Sequence, residues 1–234
     1  MTDYFIRYSR QIFMEEIGVE GQRKINAAKV LVIGAGGLGS PVIQYLAAAG
    51  VGNLAVVDFD VLEIHNLNRQ IIHQEKNVGT PKVTSDSEFV SALNSTINFI
   101  PINTKITSEN IQQILSPYDI VVDCSNNFAT RYLLNDACVI LGKTLVYGSI
   151  LSFEGQLAVF NYKGSKNLRD LFPESPYYEN LPDCDSLGVL GLLPGMIGSM
   201  MAMQTLQIIC ELKVSSNTLI LINTQHWKFT EISF

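Results

Sequence analysis

The chain has 234 residues, 47% hydrophobic and 16% charged, with a formal net charge of −6 and an isoelectric point of about 5.1. That length can bury a full core, and the acidic balance, with no basic run, argues against a nucleic-acid partner. Cys124, Cys138, Cys184 and Cys210 form no CxxC pair and three lie in apolar strand or helix patterns, as reduced core thiols do; with charges where a signal peptide needs an apolar core, this predicts a cytoplasmic protein.

Residues 1–28 are polar and helical in pattern, with RYSRQ (Arg7 to Gln11) followed by the amphipathic GVEGQRKINAA. Arg7 and Arg10, three apart, are expected on one helical face, which is solvated or reaches towards a partner. From Lys29 to Ser40 the chain reads KVLVIGAGGLGS. Four β-formers, Val30 to Ile33, run into Gly34, Gly36, Gly37 and Gly39, and the period then becomes helical in PVIQYLAAAG. This is a strand, a tight turn and a helix start. Glycines let backbone approach a ligand closely, and the free N–H groups and positive dipole end of the helix favour phosphate. A tight turn without a ligand is the alternative. The next strand, NLAVVDFD, ends in Asp58 and Asp60, and Asp58 lies about 20 residues on, where a carboxylate can accept from ribose hydroxyls.

The stretch VLEIHNLNRQIIHQEKNVGTPKV has no clear period and follows a strand's C-terminal end, where ligand chemistry concentrates in open α/β sheets. It carries Asn66, Arg69, Gln70 and Lys82. His65 and His73 lack spaced metal-binding partners and read as surface or hydrogen-bonding residues. A helix (Val83 to Leu93), a strand (97–102), a short helix N-capped by Ser108 and a buried strand (Asp119 to Cys124) continue the alternation. A helix entered through Asn126 and Asn127 and the strand TLVYGSI complete it. Such alternation predicts a parallel, doubly wound sheet.

Beyond Ile150, FEGQLAVFNY reads as an antiparallel strand, and residues 163–186 as a long polar loop of the functional kind. The apolar run Leu187 to Cys210 contains Pro194, Gln204 and Gln207 and reads as a buried helix, not a membrane span. Its Gly191, Gly195 and Ser199 recur every fourth residue and would admit another backbone, in the core or across a dimer interface. Two hairpin strands close the chain. The fold class expected is α/β, a Rossmann-like doubly wound, mostly parallel sheet continued by antiparallel C-terminal strands. One domain spans 1–234, with an N-terminal helical segment (1–28) and a C-terminal antiparallel part (151–234).

RYSRQ, GAGGLGS with LAAAGVG, DFD, NLNRQ, VGTPK, DCSNN with Arg131, EGQLAVF and PDCDSLGVLG together resemble, in order and spacing, the ThiF/MoeB/HesA group. These are bacterial relatives of ubiquitin-activating enzymes. RYSRQI and the Cys184 segment resemble ThiF-like members, which serve the thiazole sulfur carrier of thiamine biosynthesis, more than MoeB-like ones, which serve the molybdopterin carrier. The resemblance implies an ATP-dependent, Mg²⁺-assisted adenylyltransferase that activates the C-terminal Gly-Gly carboxylate of a small ubiquitin-like sulfur carrier. It implies a homodimer in which Arg10 reaches the nucleotide of the opposite subunit. Asp58 would hold the ribose, Arg69 and Lys82 the phosphates, and Arg131 would fix the Asn127 region. The nucleotide-binding set comprises Gly34, Gly36, Gly37, Gly39, Asp58, Asp60, Asn66, Arg69, Gln70, Lys82, Asn126 and Asn127, with Arg10, Arg69, Lys82, Asn126 and Cys184 as catalytic candidates.

Three departures accompany the resemblance. Asn126 stands where the group has an aspartate expected to handle Mg²⁺, and asparagine lacks the charge that a hard cation prefers. Adenylation would then be impaired unless Asp123 or the phosphates complete the metal's shell. The group's first zinc-binding CxxC is here NLRD (Asn167 to Asp170), and the chain ends before a second pair, so no zinc is expected. Cys184 matches a cysteine that some members use for a covalent link to the carrier, but Asp183 and Asp185 flank it and disfavour a thiolate. Two other readings remain: a weakly catalytic nucleotide- and carrier-binding protein, and an NAD(P)-dependent oxidoreductase. Against the latter, no acid/base group is placed for hydride chemistry.

Overall fold

The computed structural model describes residues 2–174 and 188–234. Three helices, α1 (Thr2–Arg7), α2 (Ser9–Ile12) and α3 (Gly18–Ala27), lead into β1 (Lys29–Ile33), α4 (Gly39–Ala49) and β2 (Asn53–Asp58). There follow α5 (Lys82–Leu93), β3 (Asn98–Asn103), α6 (Ile111–Leu115), β4 (Ile120–Asp123), α7 (Phe128–Leu141) and β5 (Thr144–Leu151). The chain continues through β6 (Glu154–Phe160), α8 (Leu168–Leu171), α9 (Leu192–Ile209), β7 (Thr218–Asn223) and β8 (Lys228–Ser233).

The strands form one sheet in the order β3-β2-β1-β4-β5-β6-β7-β8. β3 to β5 pair in parallel and β6 to β8 extend the sheet antiparallel, as the alternation and its break after Ile150 predict. Strand residues alternate between two cores because successive side chains point to opposite faces. Val30, Val32, Leu54, Val56 and Val122 pack with Val42, Leu46, Val83, Ile197 and Met201 from α4, α5 and α9. Leu31, Ile33, Val57, Val121 and Phe160 pack with Leu115, Leu134, Cys138 and Leu168 from α6, α7 and α8. Helices on both faces explain why the parallel strands read as continuous apolar runs.

The apolar run after residue 187 is the core helix α9, packed against α4, β5 and β6. Its close approach to α4 is made by Gly198, outside the every-fourth stripe, and of the stripe's glycines only Gly191 meets another backbone within the described residues. A methyl group at Gly198 would lie 2.5 Å from the Leu38 carbonyl oxygen and the Pro41 ring, whereas Gly195 faces open space and Gly191 abuts the Asn68 carbonyl. Helical spacing alone does not say which turn of a helix meets its neighbour.

Other expectations are corrected. Arg7 and Arg10 do not share a helix: α1 and α2 are separated at Tyr8, whose buried ring packs on Gly50. Ser108 does not cap α6. That helix starts later, after Asn110, whose side chain instead accepts from the Thr107 N–H at 2.9 Å. The long loop contains a short helix, α8, at NLRD, where Asn167 and Asp170 form a capping box. Arg169 there grips Asp136 of α7 through two 2.7 Å hydrogen bonds and stacks over Tyr132. A polar clasp thus fastens the segment to α7.

Asp86, on α5, is fully buried and neither of its carboxylate oxygens has a hydrogen-bond partner among the described residues. Burial, reinforced by Asp58 and opposed by Lys82, holds its carboxyl well above the usual range. A group protonated in the folded state but ionised in the unfolded one lowers stability as pH rises past about 4, and has no such effect below it. Asp86→Ala is therefore expected to stabilise the chain by about 1–2 kcal/mol near pH 7.5. Urea unfolding across pH should show the gain shrinking as pH falls towards 4; a loss of stability at neutral pH would contradict this account.

Candidate functional site

β1 connects outward to β2 and β3, and the chain then returns to place β4 on the other side of β1. The order reverses there, and a crevice opens beyond the carboxyl ends of β1 and β4, the usual ligand position in open α/β sheets. The glycine turn fills its floor. Gly34 has φ +99°, and a side-chain carbon on it would lie 2.7 Å from the Cys124 carbonyl oxygen. One on Gly39 would collide with the carbonyl of Gly34, so α4 can start against the strand only if that residue is glycine. Gly37 abuts Pro194, with Arg69 Cγ 3.6 Å from the position of an added carbon. Gly36 faces open space, bordered within 4 Å only by Gln70 Nε2 at 3.9 Å. Among the described residues no hydrogen bond engages the N–H of Gly36 or Gly37. These donors lie at the amino end of a helix with no side-chain cap.

Asp58 lies where the spacing predicts. Its Oδ2 accepts from the Ala35 N–H at 2.7 Å and its Oδ1 from the Asp60 N–H at 2.8 Å. Burial raises its pKa, while Lys82 and the two N–H groups act in the opposite direction. Gln70 is 3% exposed and its Oε1 is buried with no hydrogen-bond partner among the described residues. The Gln70 atom that borders the open Gly36 is its amide nitrogen, a donor suited to an anionic ligand.

Lys82 and Arg69 both reach this floor. The segment after β2 folds back through a bridge between Val61 and Pro81, and the Lys82 N–H donates to the Asp60 carbonyl at 3.0 Å. Lys82 Nζ, almost inaccessible, lies 2.8 Å from Asp60 Oδ2, which stays half exposed. Asp60 thus holds the lysine at the site instead of lining it alone. Arg69 is fixed by hydrogen bonds to the His65 carbonyl at 3.0 Å and Asn68 Oδ1 at 3.1 Å. Asn66, predicted among the binding residues, is buried: its Oδ1 accepts from the Glu63 N–H at 2.9 Å. Its amide shapes the turn that carries Arg69.

Across the crevice, Asp123 is fully buried at the end of β4. Its Oδ1 accepts from the Ser125 N–H and hydroxyl, its Oδ2 has no partner, and burial outweighs Arg131 in raising its pKa. Arg131, buried over the Tyr147 ring, donates to the Ser125 carbonyl at 2.9 Å and the Gly148 carbonyl at 3.1 Å. It therefore sets the course of residues 125–127. Asn127 is the N-cap of α7, accepting from the Thr130 N–H at 2.9 Å, and Asn126 is exposed beside it. On this wall the exposed Asn126 is the side-chain oxygen that would meet Mg²⁺, whose charge would neutralise a polyphosphate, while the fully buried Asp123 keeps its oxygens away from the crevice. Cys124 and Cys138 are buried thiols, the latter pushed up to about 12, and so poor nucleophiles. Cys184 lies outside the described residues.

The amino-terminal motif divides its labour. Tyr8 receives a hydrogen bond from Asn94 Nδ2 at 2.8 Å, and Gln11 donates to the Ala49 carbonyl at 3.1 Å and to Gln22 Oε1. Arg7 donates to the Leu93 carbonyl at 3.1 Å. Those contacts fasten the segment to the ends of α4 and α5 and leave Arg10 exposed, so the chain does not bring Arg10 to its own glycine turn.

Sequence reasoning noted His73 but missed its place. Its ring is buried beneath the turn, with Nδ1 2.9 Å from Ser85 Oγ and Nε2 3.4 Å from the Ala35 carbonyl oxygen. Ser125 was missed as a partner of Asp123. No periodicity or motif marks either residue; both matter through tertiary neighbours.

The model of the ThiF family matches residues 8–234. The chain is similar to "Adenylyltransferase and sulfurtransferase MOCS3" of Anopheles gambiae, 51% identical over 208 residues, 89% of this chain and 47% of the relative. It is 46% identical to "Sulfur carrier protein adenylyltransferase" of Thermus thermophilus over 208 residues, 87% of this chain and 77% of that one. The chain spans about half the length of the MOCS3 relatives it matches. In fold it is similar to E. coli MccB, solved with ATP, with a TM-score of 0.85, 22% identity and coverage of 97% of this chain and 71% of MccB. With the whole sheet and its crevice inside the matched range, the chain belongs to the ThiF family.

Proposed function

We propose that the protein binds ATP at the glycine turn and adenylates the C-terminal carboxylate of a small ubiquitin-like sulfur-carrier protein. The observation that carries this reading is the convergence, at one switch point, of an open Gly36, the Gln70 amide nitrogen beside it, and the cations Arg69 and Lys82. A lone dinucleotide turn needs no such cations; a triphosphate does. Relatives named as adenylyltransferases for sulfur carriers support the assignment, and the ThiS-like carrier suggested by RYSRQI is retained as its specific form.

In the proposed reaction, an oxygen of the carrier's terminal carboxylate bonds to the α-phosphorus of ATP. The bond from that phosphorus to the bridging oxygen breaks, and pyrophosphate departs with the electron pair. No proton need move. Two anions must instead be held in line, so catalysis is positioning plus charge stabilisation. The N–H groups of Gly36 and Gly37 and the two cations would hold the phosphates. Asp58, already tied to the turn through Ala35, would orient the ribose. Because Lys82 is neutralised by Asp60 in this structure, the incoming phosphates must compete for it, and specificity for a highly charged ligand follows.

The active unit in this reading is a homodimer. α4 and α9 leave an apolar groove of about 280 Å³ lined by Tyr45, Ala48, Met203 and Leu206, next to Gln11 of α2. Tyr45 and Met203 are more than half exposed, as expected of residues awaiting a partner surface. A second copy there would bring its amino-terminal segment, and with it Arg10, towards this crevice.

Asn126→Asp is expected to raise ATP–pyrophosphate exchange, measured with a Gly-Gly-tailed carrier, by about tenfold or more, through an added anionic metal ligand. Exchange seen only in the variant would mark the parent chain as a weak catalyst; none in either form would refute the carrier assignment. Lys82→Ala should weaken ATP binding by roughly 2 kcal/mol, about thirtyfold by calorimetry. Met203→Glu, which places a charge in the groove, should shift sedimentation from dimer to monomer and abolish exchange together. A monomeric parent chain with full activity would refute the shared site.

A further inference from the structure

The Ala35 residue, between the first two glycines of the turn, is held from both sides. Its N–H donates to Asp58 Oδ2 at 2.7 Å, and its carbonyl oxygen lies 3.4 Å from His73 Nε2. The carbonyl of Ala35 and the N–H of Gly36 belong to one peptide unit, and in a planar trans peptide they point in opposite directions. A carbonyl drawn inward onto a buried ring therefore turns the Gly36 N–H to the opposite side, where no acceptor among the described residues engages it. The peptide units on either side are held by Asp58 and by Ser40, which donates to the Gly36 carbonyl, but among the described residues the His73 contact is the one made to this unit itself. Glycine tolerates either sense of a peptide flip, so the position that must stay open for a ligand is also the one least able to hold its own donor in place.

The ring's protonation can be read from its neighbours. A carbonyl only accepts, so Nε2 must carry a proton. Burial pushes the pKa of His73 down to about 4, with Lys82 adding to the fall and the Ala35 contact opposing it. The ring is accordingly neutral at physiological pH, and Nδ1 bears a lone pair that accepts from the Ser85 hydroxyl at 2.9 Å. The other charged groups around it leave this arrangement intact. Asp86 Oδ1 is 3.8 Å from Nδ1, and burial pushes the pKa of that carboxyl up, which weakens any pairing with an imidazolium. Lys82 is engaged by Asp60, and Asp58 by the turn. Ser85 thus selects the tautomer, and the tautomer supplies the donor.

We propose that His73 is a positioning residue that, with its tautomer set by Ser85, anchors the Ala35 carbonyl and so aims the Gly36 N–H at the nucleotide's phosphates. The ring touches no ligand itself. The inference rests on the nucleotide reading above but makes a claim that can be tested without nucleotide: the turn is held in one orientation by this ring.

Three variants of the full chain test it. Glutamine can put an amide N–H near the place of Nε2; leucine cannot donate. His73→Leu is expected to weaken ATP binding by about tenfold in calorimetry and to raise the ATP KM with kcat at saturation almost unchanged. His73→Gln should stay within roughly threefold of the parent. Ser85→Ala, a change of one hydroxyl that spares the ring's packing, should fall between them because it frees the tautomer. Hydrogen exchange of the 34–38 segment, measured without nucleotide, should quicken in His73→Leu and not in His73→Gln. Unchanged ATP affinity and unchanged exchange in His73→Leu would overturn the proposal, as would a glutamine variant no better than leucine. A parent chain that fails to bind ATP while the exchange pattern holds would instead discard the nucleotide reading and leave the anchor standing.

Discussion

No side chain fits between the carbonyl of Gly34 and the first turn of α4, and this exclusion shapes the site. Because Gly39 lies against Gly34, the helix starts directly above the end of β1, and the N–H groups of its amino end open into the crevice beside β4. Asp58 can reach Ala35 only because β2 runs in register with β1, Val57 opposite Ile33. The same closeness lets α9 pass over the turn: Pro194 touches the position of Gly37, and Gly198 lets α9 settle on Leu38 and Pro41. A side chain at any of these glycines would separate the helix from the strand and misalign the donors with the cations across from them.

The electrostatics follow from that geometry. A floor of backbone N–H groups is weakly positive at fixed positions. Formal charges are added at the rim, each kept in place by a partner: Lys82 by Asp60, Arg69 by the His65 carbonyl and Asn68, Arg131 by Ser125 and Gly148. Of these, Arg131 is buried and spends its donors on backbone, so it orders the wall and leaves the phosphates to the other two. The exposed Arg10 belongs to a different category. Tyr8, Gln11 and Arg7 tie the segment down on either side of it, which rigidly presents a cation away from its own crevice. In the proposed homodimer that presentation would supply a third charge to the partner's crevice.

The sheet order and the glycine turn were legible because they depend on local rules. Alternating apolar residues, a run of glycines at a change of period, and a carboxylate at the end of the next strand are all decided within about 30 residues. The start of α6 was misread because Ser108 and Asn110 are both good cap residues, and only the fold of the preceding turn decides which position the helix begins from. The glycine stripe on α9 was only partly legible for a related reason. Gly191, Gly195 and Ser199 share a helical spacing, but contact is made where α9 crosses α4, and the crossing point is not written in either helix alone. His73 and Asp86 were out of reach because their significance is burial, and a histidine and an aspartate in polar stretches look solvated until the tertiary structure closes over them.

Asp86 completes the argument about the anchor. A carboxyl whose pKa burial raises, with no hydrogen-bond partner among the described residues, sits next to a neutral ring whose lone pair is already taken by Ser85. Were the proton to move from the carboxyl to Nδ1, the pair would become an ion pair of the same net charge, and the ring would still donate from Nε2 to Ala35. Both proton arrangements therefore leave the Gly36 N–H aimed the same way. The direction of that donor depends on the ring's position and on its Nε2 proton, and the surrounding carboxyls can alter the stability of the site without redirecting it.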